Sequence, residues 1–164
     1  MHANNKKVTD IIIEPMSEDD LDGVMEIEEV SFPKCWPRDL MARELMNPVS
    51  YPFVMHGTVD DKKQVVGYIV IWIVHGDAHI LDLAVAPALR GGGLAKRLIS
   101  FALRFMVERG TVVVSLEVRR SNEAAIKIYR SFGFNQVYVR DKYYGDEDAI
   151  VMSLALTEGL NEEK

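Results

Sequence analysis

Hydrophobic and polar positions along this chain follow two patterns, one typical of strands and one typical of helices. Short runs rich in Val, Ile and aromatic residues, bounded by turn residues, predict strands. Segments in which apolar residues recur every three or four positions predict amphipathic helices. The predicted strands cover residues 11–13, 51–59, 64–74, 79–85, 111–118, 136–144 and 149–156, and the predicted helices cover residues 17–30, 38–46, 94–109 and 121–132.

The order of these elements, β-α-α-β-β-β-α-β-α-β-β, indicates the α+β class. Local signals support the boundaries, since Ser17 and Asp20 form a capping-box-like start and Gly110 provides a C-terminal stop for the helix 94–109. We therefore predict one mixed central β-sheet of about six to seven strands with helices on both faces. Only the two strands joined across the helix 94–109 must be parallel neighbours.

Composition narrows the class of protein and its partners. The chain has 164 residues, 48% of them hydrophobic, which predicts a single domain over residues 1–164 with flexible polar ends at 1–10 and 157–164. The net charge of -6 argues against nucleic acid or an anionic membrane as a direct partner. A single cysteine, Cys35, and the lack of a signal-peptide pattern indicate a cytoplasmic protein, for which we expect a monomer or a weak homodimer.

A glycine-rich turn connects the strand 79–85 to the helix 94–109, through Arg90-Gly91-Gly92-Gly93-Leu94-Ala95. The first N–H groups of a helix are unpaired and carry partial positive charge, so a pyrophosphate can bind there. Taken alone, the segment is equally well explained as an ordinary strand-to-helix turn. It matches neither the Walker sequence nor the dinucleotide fingerprint, which argues against nucleotide hydrolysis and hydride transfer.

The pattern Arg-x-x-Gly-x-Ala at Arg90–Ala95, preceded by Leu-Ala-Val-x-Pro, resembles the pyrophosphate-binding segment of the GNAT acetyltransferases. The resemblance implies acetyl-CoA as cosubstrate, with its pantetheine arm beside the strand before the loop and its pyrophosphate on the loop amides. The cofactor-binding residues that it implies are Leu83, Ala84, Val85, Arg90, Gly91, Gly92, Gly93, Leu94, Ala95 and Lys96, together with Asn122 and Tyr129.

A second block, Ser115–Phe134, is similar to the Leu-Glu-Val-Arg-x-Ser-Asn-x-x-Ala-x-x-x-Tyr-x-x-x-Gly-Phe segment of the ribosomal-protein-alanine N-acetyltransferases. Together the two blocks extend the resemblance over residues 80–154 and imply the GNAT fold. Asn122 and Tyr129 are two helical turns apart, so they lie on one helix face. From spacing alone, Tyr129 is better explained as a half-buried core residue; the resemblance instead assigns it to protonating the departing thiolate.

Glu117 ends an otherwise apolar strand, where a lone carboxylate needs a partner, water or a raised pKa. Carboxylates at strand ends are often merely solvated. The resemblance assigns Glu117 as the general base, acting through water on the attacking amine. Direct attack in a ternary complex needs no covalent enzyme intermediate, so the absence of a Cys-His or Ser-His pair is no objection.

The acceptor is predicted from acid-base chemistry and from two further segments. At neutral pH roughly 10% of an α-amine, but only about 0.04% of a lysine amine, is unprotonated, so an α-amine is the easier nucleophile. Tyr143 and Tyr144 resemble the residues that clasp the peptide backbone in protein N-terminal acetyltransferases, although an aromatic strand end would look the same. Phe32, Pro33 and Trp36 resemble the opposite substrate wall, with Cys35 where relatives commonly have proline.

We therefore expect an enzyme that acetylates a protein N-terminus, specifically the N-terminal alanine of a small-subunit ribosomal protein. Two alternatives stay open: acetylation of a small-molecule amine or lysine side chain, and a non-catalytic acetyl-CoA sensor or partner subunit. The four histidines have no metal-ligand spacing, so we predict no metal, and His79 is interpreted as a packing or hydrogen-bonding residue.

Overall fold

The computed structural model describes residues 6–156, which form seven strands and four α-helices. The strands are β1 (Thr9–Pro15), β2 (Ser50–Val59), β3 (Lys62–Val74), β4 (Asp77–Val85), β5 (Val113–Arg119), β6 (Asn135–Arg140) and β7 (Ala149–Ala155). The α-helices are α1 (Leu21–Ser31), α2 (Arg38–Glu44), α3 (Leu94–Glu108) and α4 (Glu123–Ser131). Short 3-10 helices cover Glu18–Asp20 and Pro87–Leu89. The strands form one mixed sheet in the order β1-β2-β3-β4-β5-β7-β6, which confirms the predicted α+β class.

The described residues group into two compact units. The first unit runs as far as Trp72 and includes Asp82–Arg104, and the second unit contains Ile73–Leu81 and the chain from Phe105 onward. A single domain over residues 1–164 stays a prediction. Of the two predicted flexible ends, 1–5 and 157–164 lie outside the described residues, whereas Thr9 and Asp10 belong to β1. No helix within the described part of the chain has the length and apolar character needed to cross a membrane.

In the first unit, antiparallel pairing joins β1 to β2 and β2 to β3. The hairpin turn between β2 and β3 consists of Asp60 and Asp61, with φ angles of 49° and 62°. Aspartate is one of the few non-glycine residues that adopt this left-handed backbone readily, and two such residues give the turn that best matches strand twist. The sequence therefore fixes the register of this hairpin locally.

Helices of the first unit cover both faces of the β2-β3 hairpin. On one face, the Tyr68 hydroxyl of β3 donates a hydrogen bond to Glu28 of α1. On the other face, Phe53 of β2 packs edge-on against Phe101 of α3, with ring centroids 4.8 Å apart. Phe53 is the register partner of Ile69, whose side chain points away from that of its neighbour Tyr68. The prediction of helices on both faces is thus confirmed for this hairpin.

The amphipathic pattern of α3 explains how this helix packs. Its fully or nearly fully buried residues recur at helical spacing, namely Leu94, Leu98, Ile99, Ala102 and Met106. The exposed positions between them include Lys96, Arg97 and Arg104. The chain leaves the helix through Gly110, whose φ of 76° is available to glycine at low cost.

In the second unit, β5 pairs in parallel with β4 and in antiparallel with β7, which also pairs with β6. The parallel ladder joins Asp77–Ile80 to Val113–Leu116 and confirms that the strands on either side of α3 are neighbours. Along β5, buried Val114, Leu116 and Val118 alternate with half-buried residues. The opposite face of β5 therefore presents Ser115, Glu117 and Arg119.

The end of β6 differs from the prediction. The predicted strand reaches Tyr144, but β6 ends at Arg140 because Lys142 has a φ of 49° and the Gly145 N–H bonds to the Lys142 carbonyl at 2.8 Å. The Asp148 carboxylate also accepts a hydrogen bond from the Lys142 N–H. These contacts turn the segment 141–148 into a closed loop, which we call the tyrosine loop.

Candidate active site

Glu117 is the centre of a polar cluster in the second unit. Its Oε2 atom lies 2.5 Å from His79 Nε2, and its Oε1 atom lies 3.4 Å from Arg140 Nη1. Strand register explains the first contact, because β4 pairs His79 with Ser115, two positions before Glu117 on the same face of β5. The side chain of Glu117 retains 14% of its exposure, so water can still reach it.

The hydrogen bonds of His79 define which ring nitrogen carries a proton. The Ser115 hydroxyl lies 3.3 Å from Nδ1 of His79, while Nε2 faces the Glu117 carboxylate. A carboxylate only accepts hydrogen bonds, so Nε2 must donate, and Nδ1 of a neutral ring then accepts from Ser115. His79 thus donates to Glu117 through Nε2 whether its ring is neutral or protonated.

Partners keep Glu117 ionised. Burial raises the pKa of its carboxyl group, but the hydrogen bond and charge of His79, together with those of Arg140, outweigh burial and bring the pKa below its ordinary value. At neutral pH the group is therefore a carboxylate that can accept a proton, directly or through a water molecule. This is the protonation state that a general base requires.

The tyrosine loop is attached to this cluster by two arginines. The guanidinium carbon of Arg140 lies 4.3 Å from the ring centroid of Tyr143, and that of Arg119 lies 4.4 Å from the ring centroid of Tyr144. The two tyrosine rings meet edge to face at 5.0 Å. Because Arg140 also contacts Glu117, a single side chain joins the proposed base to a proposed peptide-clasping residue.

The two tyrosines differ in their surroundings. Tyr143 keeps 47% of its exposure, so its ring is open to a ligand. Burial raises the pKa of Tyr144 to about 12, with the charges of Tyr143 and Glu117 adding to the rise. Tyr144 is therefore a neutral hydroxyl at physiological pH, able to donate a hydrogen bond to a peptide carbonyl.

Glu147 ties the tyrosine loop to the start of α4. Its carboxylate accepts hydrogen bonds from the Ser121 N–H at 3.1 Å, from the Ser121 hydroxyl at 2.8 Å and from Arg119 at 3.1 Å. These bonds with Ser121 and Arg119 lower the pKa of Glu147, so the tie is present at neutral pH. The position of Tyr144 therefore depends on a carboxylate three residues further along the chain.

Asn122 is the N-cap residue of α4 and Tyr129 lies within this helix, as the predicted spacing requires. The side-chain oxygen of Asn122 caps the helix by accepting a hydrogen bond from the Ala125 N–H at 3.2 Å, and its amide nitrogen can still donate to a ligand. Tyr129 is 6% exposed and packs edge-on against Phe134 at 5.6 Å. Both residues thus have a structural role in the second unit, which is compatible with the proposed ones.

The glycine loop lies in the first unit and opens α3. Gly91 and Gly93 have φ angles of 83° and 85°, and a Cβ atom added to either would meet no atom within 4 Å. Backbone conformation, and not crowding within the protein, is therefore what calls for glycine at these positions. Arg90–Gly93 and Lys96 are exposed and Ala95 is half-buried, whereas Leu94 is buried in the core.

Arg90 connects the glycine loop to β4 and α1 by hydrogen bonds. Its Nε donates to the Val85 carbonyl at 3.1 Å, and Nη2 donates to the Ser31 hydroxyl at the end of α1 at 2.9 Å. Leu83, Ala84 and Val85 lie beyond the ladder with β5, which ends at Ile80. Of these three, Leu83 is half-buried and the other two are buried.

The segment 32–37, which we call the acceptor loop, connects α1 to α2 in the first unit. Pro33 and Cys35 are exposed, and Phe32 and Trp36 are half-buried. The Trp36 N–H donates a hydrogen bond to Glu28 Oε1 at 3.0 Å. A buried carboxylate of α1 thus fixes the far end of this loop.

Several residues that shape these surfaces are absent from the sequence-based prediction. Arg140, Glu147 and Glu28 have no predicted role there. The interpretation of His79 as a packing or hydrogen-bonding residue agrees with its contact to Glu117, but that partner was not predicted. The predicted parallel pairing of the strands on either side of α3 could have identified this contact, because it aligns His79 with Ser115, two positions before Glu117. Within residues 6–156, no three His, Cys, Asp or Glu side chains are grouped so that they could hold a metal ion.

Comparison with known proteins gives consistent matches over most of the chain. Residues 21–134 match the acetyltransferase (GNAT) family. A Bacillus subtilis (strain 168) protein, provisionally named as a ribosomal protein bS18-alanine N-acetyltransferase, is 34% identical over 152 residues, which are 92% of this chain and 99% of that protein. The ribosomal protein bS18-alanine N-acetyltransferase of Haemophilus ducreyi is 31% identical over 150 residues, which are 88% of this chain and 100% of that protein.

A solved structure extends the likeness to three dimensions. The crystal structure of the ribosomal-protein-S18-alanine N-acetyltransferase from Escherichia coli superimposes with a TM-score of 0.79 and is 29% identical. The match covers 92% of this chain and 98% of that one. The seven-stranded mixed sheet is therefore shared along nearly the whole length of both chains.

The hydrogen bonds between Glu147 and Ser121 can be tested by amide hydrogen exchange. We expect Glu147→Ala to speed exchange at Ser121 and in the tyrosine loop, on the order of threefold to tenfold, because the bonds from Ser121 and Arg119 are lost. Glu123→Ala, which removes an exposed charge two residues from Ser121, is the matched control and should leave that loop unchanged. Equal effects of the two substitutions would show that these hydrogen bonds do not hold the tyrosine loop in place.

Proposed function

The chain belongs to the GNAT acetyltransferase family, and from this premise we propose that it acetylates the N-terminal alanine of a small-subunit ribosomal protein. The acetyl donor is acetyl-CoA, as the family implies. The relatives from Haemophilus ducreyi and Escherichia coli carry ribosomal protein S18 and alanine in their names, which supports both the acceptor and its first residue.

The observation that carries the proposal is the linkage of Glu117 to the tyrosine loop through Arg140. A base that acts on an α-amine must lie close to whatever holds the backbone of the same peptide. Arg140 contacts the Glu117 carboxylate and stacks on Tyr143, while Tyr144 approaches Glu117 closely enough to feel its charge. This arrangement suits an amine that is attached to a peptide backbone.

The residues of the first unit fit acetyl-CoA as the cosubstrate. The exposed glycine loop at the start of α3 offers backbone N–H groups to a pyrophosphate, and Gly91 and Gly93 leave open space where a side chain would stand. Leu83, Ala84 and Val85, beyond the ladder with β5, would pair with the pantetheine arm. When bound, acetyl-CoA supplies the thioester carbonyl that the amine attacks.

Glu117, His79 and Tyr129 divide the proton transfers. Glu117 accepts the proton from the attacking amine, through a water molecule where the two do not meet directly. His79, donating through Nε2, holds the Glu117 carboxylate in place. Tyr129 donates its hydroxyl proton to the departing sulfur. Asn122 orients the coenzyme through its amide nitrogen.

The substrate class is tested with matched peptides. A peptide that begins with alanine should be acetylated at its α-amine, whereas the same peptide with a blocked N-terminus and an internal lysine should not react, because its amine is almost wholly protonated at neutral pH. Mass spectrometry of the product locates the acetyl group. Turnover of the blocked lysine peptide, with none of the free one, would reject the proposed acceptor and favour a lysine or small-molecule acceptor.

Glu117→Gln should lower kcat about 100-fold or more with the fold retained, because the amide cannot accept the proton. The lowered pKa of Glu117 keeps the wild-type carboxylate ionised throughout the working range, so the acid side of the kcat/KM profile should follow the peptide amine, near pH 7.8. The variant should keep that pH dependence at a reduced rate. An undiminished rate would show that Glu117 is not the base. Glu123→Gln, which also removes one negative charge, is the control and should leave kcat unchanged.

Gly93→Glu tests the glycine loop, with Gly110→Glu as its matched control. Both glycines are exposed, have positive φ and lie next to α3, one before it and one after it, so the cost to folding should be similar. The first substitution should weaken acetyl-CoA binding about tenfold or more in calorimetry, because it places negative charge where the pyrophosphate binds. Equal affinities for the two variants would show that the loop does not bind the pyrophosphate.

A further inference from the structure

Two carboxyl groups lie side by side in the interior of the first unit and have no part in the proton transfers described above. They belong to Glu28 of α1, which is 1% exposed, and Asp82 of β4, which is 8% exposed. Burying two acids together is costly unless a proton or a cation intervenes. The pair must therefore be stabilised by an interaction within the first unit.

Glu28 is a hydrogen-bond acceptor for three different segments. Its Oε1 accepts from the Trp36 N–H of the acceptor loop at 3.0 Å, its Oε2 accepts from the Tyr68 hydroxyl, and its carboxylate bonds to the side chain of Asp82. Two ionised carboxylates cannot bond to each other, because neither has a proton to donate. With both Glu28 oxygens already accepting, the shared proton is carried by Asp82.

The surroundings of Asp82 hold this proton in place. Burial raises the pKa of Asp82 well above its ordinary value, and the hydrogen bond to Glu28 and the charge of Glu28 raise it further. The titratable and charged groups around it are Glu28 from α1, Tyr68 from β3 and, facing Tyr68, Arg90 from the glycine loop. The Leu83 N–H also donates a hydrogen bond to the Asp82 side chain, which lowers the pKa but does not outweigh these effects. The Oδ2 atom of Asp82 has no donor partner among the described residues.

We propose that Glu28 and Asp82, joined by one proton, are positioning residues that hold the acceptor loop in its substrate-binding conformation. The proposal rests on the proposed function, in which Phe32, Pro33 and Trp36 contact the acceptor. Glu28 anchors the far end of the loop through the Trp36 N–H. Its near end is held at Ser31, whose hydroxyl accepts from Arg90.

Loss of the proton would release the loop. Two negative charges would then face each other in the interior, and Glu28 would lose one of the donors that orient its carboxylate. The Trp36 N–H bond depends on that orientation. We therefore expect acceptor binding, but not acetyl-CoA binding, to weaken as rising pH ionises Asp82.

The shared proton is tested by Asp82→Asn, which mimics the protonated acid. In the wild type, the folded state keeps a proton that the unfolded state has released above about pH 4, so stability falls as pH rises until Asp82 ionises in the folded state. This contribution changes the unfolding equilibrium constant up to about tenfold per pH unit, and the variant lacks it. Urea unfolding across pH should show the two stability curves diverging. Parallel curves would overturn the shared proton.

The positioning role is tested by Glu28→Gln, with Glu29→Gln as the matched control on the exposed side of α1. The first variant should raise the KM for an alanine-starting peptide about tenfold, while the KM for acetyl-CoA changes less than about twofold. The control should change neither constant. Equal increases in both constants for Glu28→Gln would indicate a general loss of structure and overturn the role.

Trp36 fluorescence separates this proposal from the identity of the acceptor. Only two tryptophans are present, so in a Trp72→Phe background Trp36 alone reports on the loop. Adding Glu28→Gln should lower its fluorescence anisotropy and shift its emission to the red, and adding Glu29→Gln should not. An unchanged signal overturns the proposal even if the peptide is a substrate, and a changed signal supports it even if the acceptor is another amine.

Discussion

The short parallel ladder between β4 and β5 is the constraint on which the polar cluster around Glu117 in the second unit depends. It pairs His79 with Ser115 and so places both on the face of β5 that carries Glu117. A shift of one residue would turn Glu117 into the interior, where its carboxylate would lose both His79 and Arg140. The ladder is anchored by buried Ile80 and Leu116, and β7 supports β5 from the other side. Packing of apolar residues on one face thus sets the geometry of the polar cluster on the other.

Arginine organises the exposed side of the same cluster. Arg140 joins Glu117 to the ring of Tyr143, and Arg119 joins Glu147 to the ring of Tyr144, so each arginine couples a carboxylate to an aromatic face. A guanidinium is suited to this because it is planar and always charged, and can stack while it donates hydrogen bonds. The tyrosine loop is consequently held by side chains of β5 and β6 without strand pairing of its own. A loop held in this way can present its outer ring to a ligand while its attachment stays fixed.

Local patterns allowed most of the fold to be predicted, but contacts between distant residues could not be. The hairpin at Asp60 and Asp61, the helix α3 and its glycine loop depend on neighbours in sequence, and the parallel pairing followed from the single crossover. The end of β6 was predicted wrongly, because the strand propensity of tyrosine gives no information about the bond from Lys142 to Asp148 or about Lys142 in the left-handed region. His79 and Glu117 are 38 residues apart and meet only through strand register. The roles assigned to individual site residues stay predictions.

The pKa values of Glu117 and Asp82 are shifted in opposite directions, because the two carboxyl groups have neighbours of different charge. Glu117 has a histidine and an arginine beside it, so its charge is stabilised and its pKa is lowered despite burial. Asp82 faces another carboxyl group, so its pKa is raised and the neutral form prevails. A proton acceptor must be charged and reachable by water, whereas a structural anchor needs a fixed hydrogen bond and no net change in charge. These opposite protonation states match the proton-accepting role proposed for Glu117 and the positioning role proposed for Asp82.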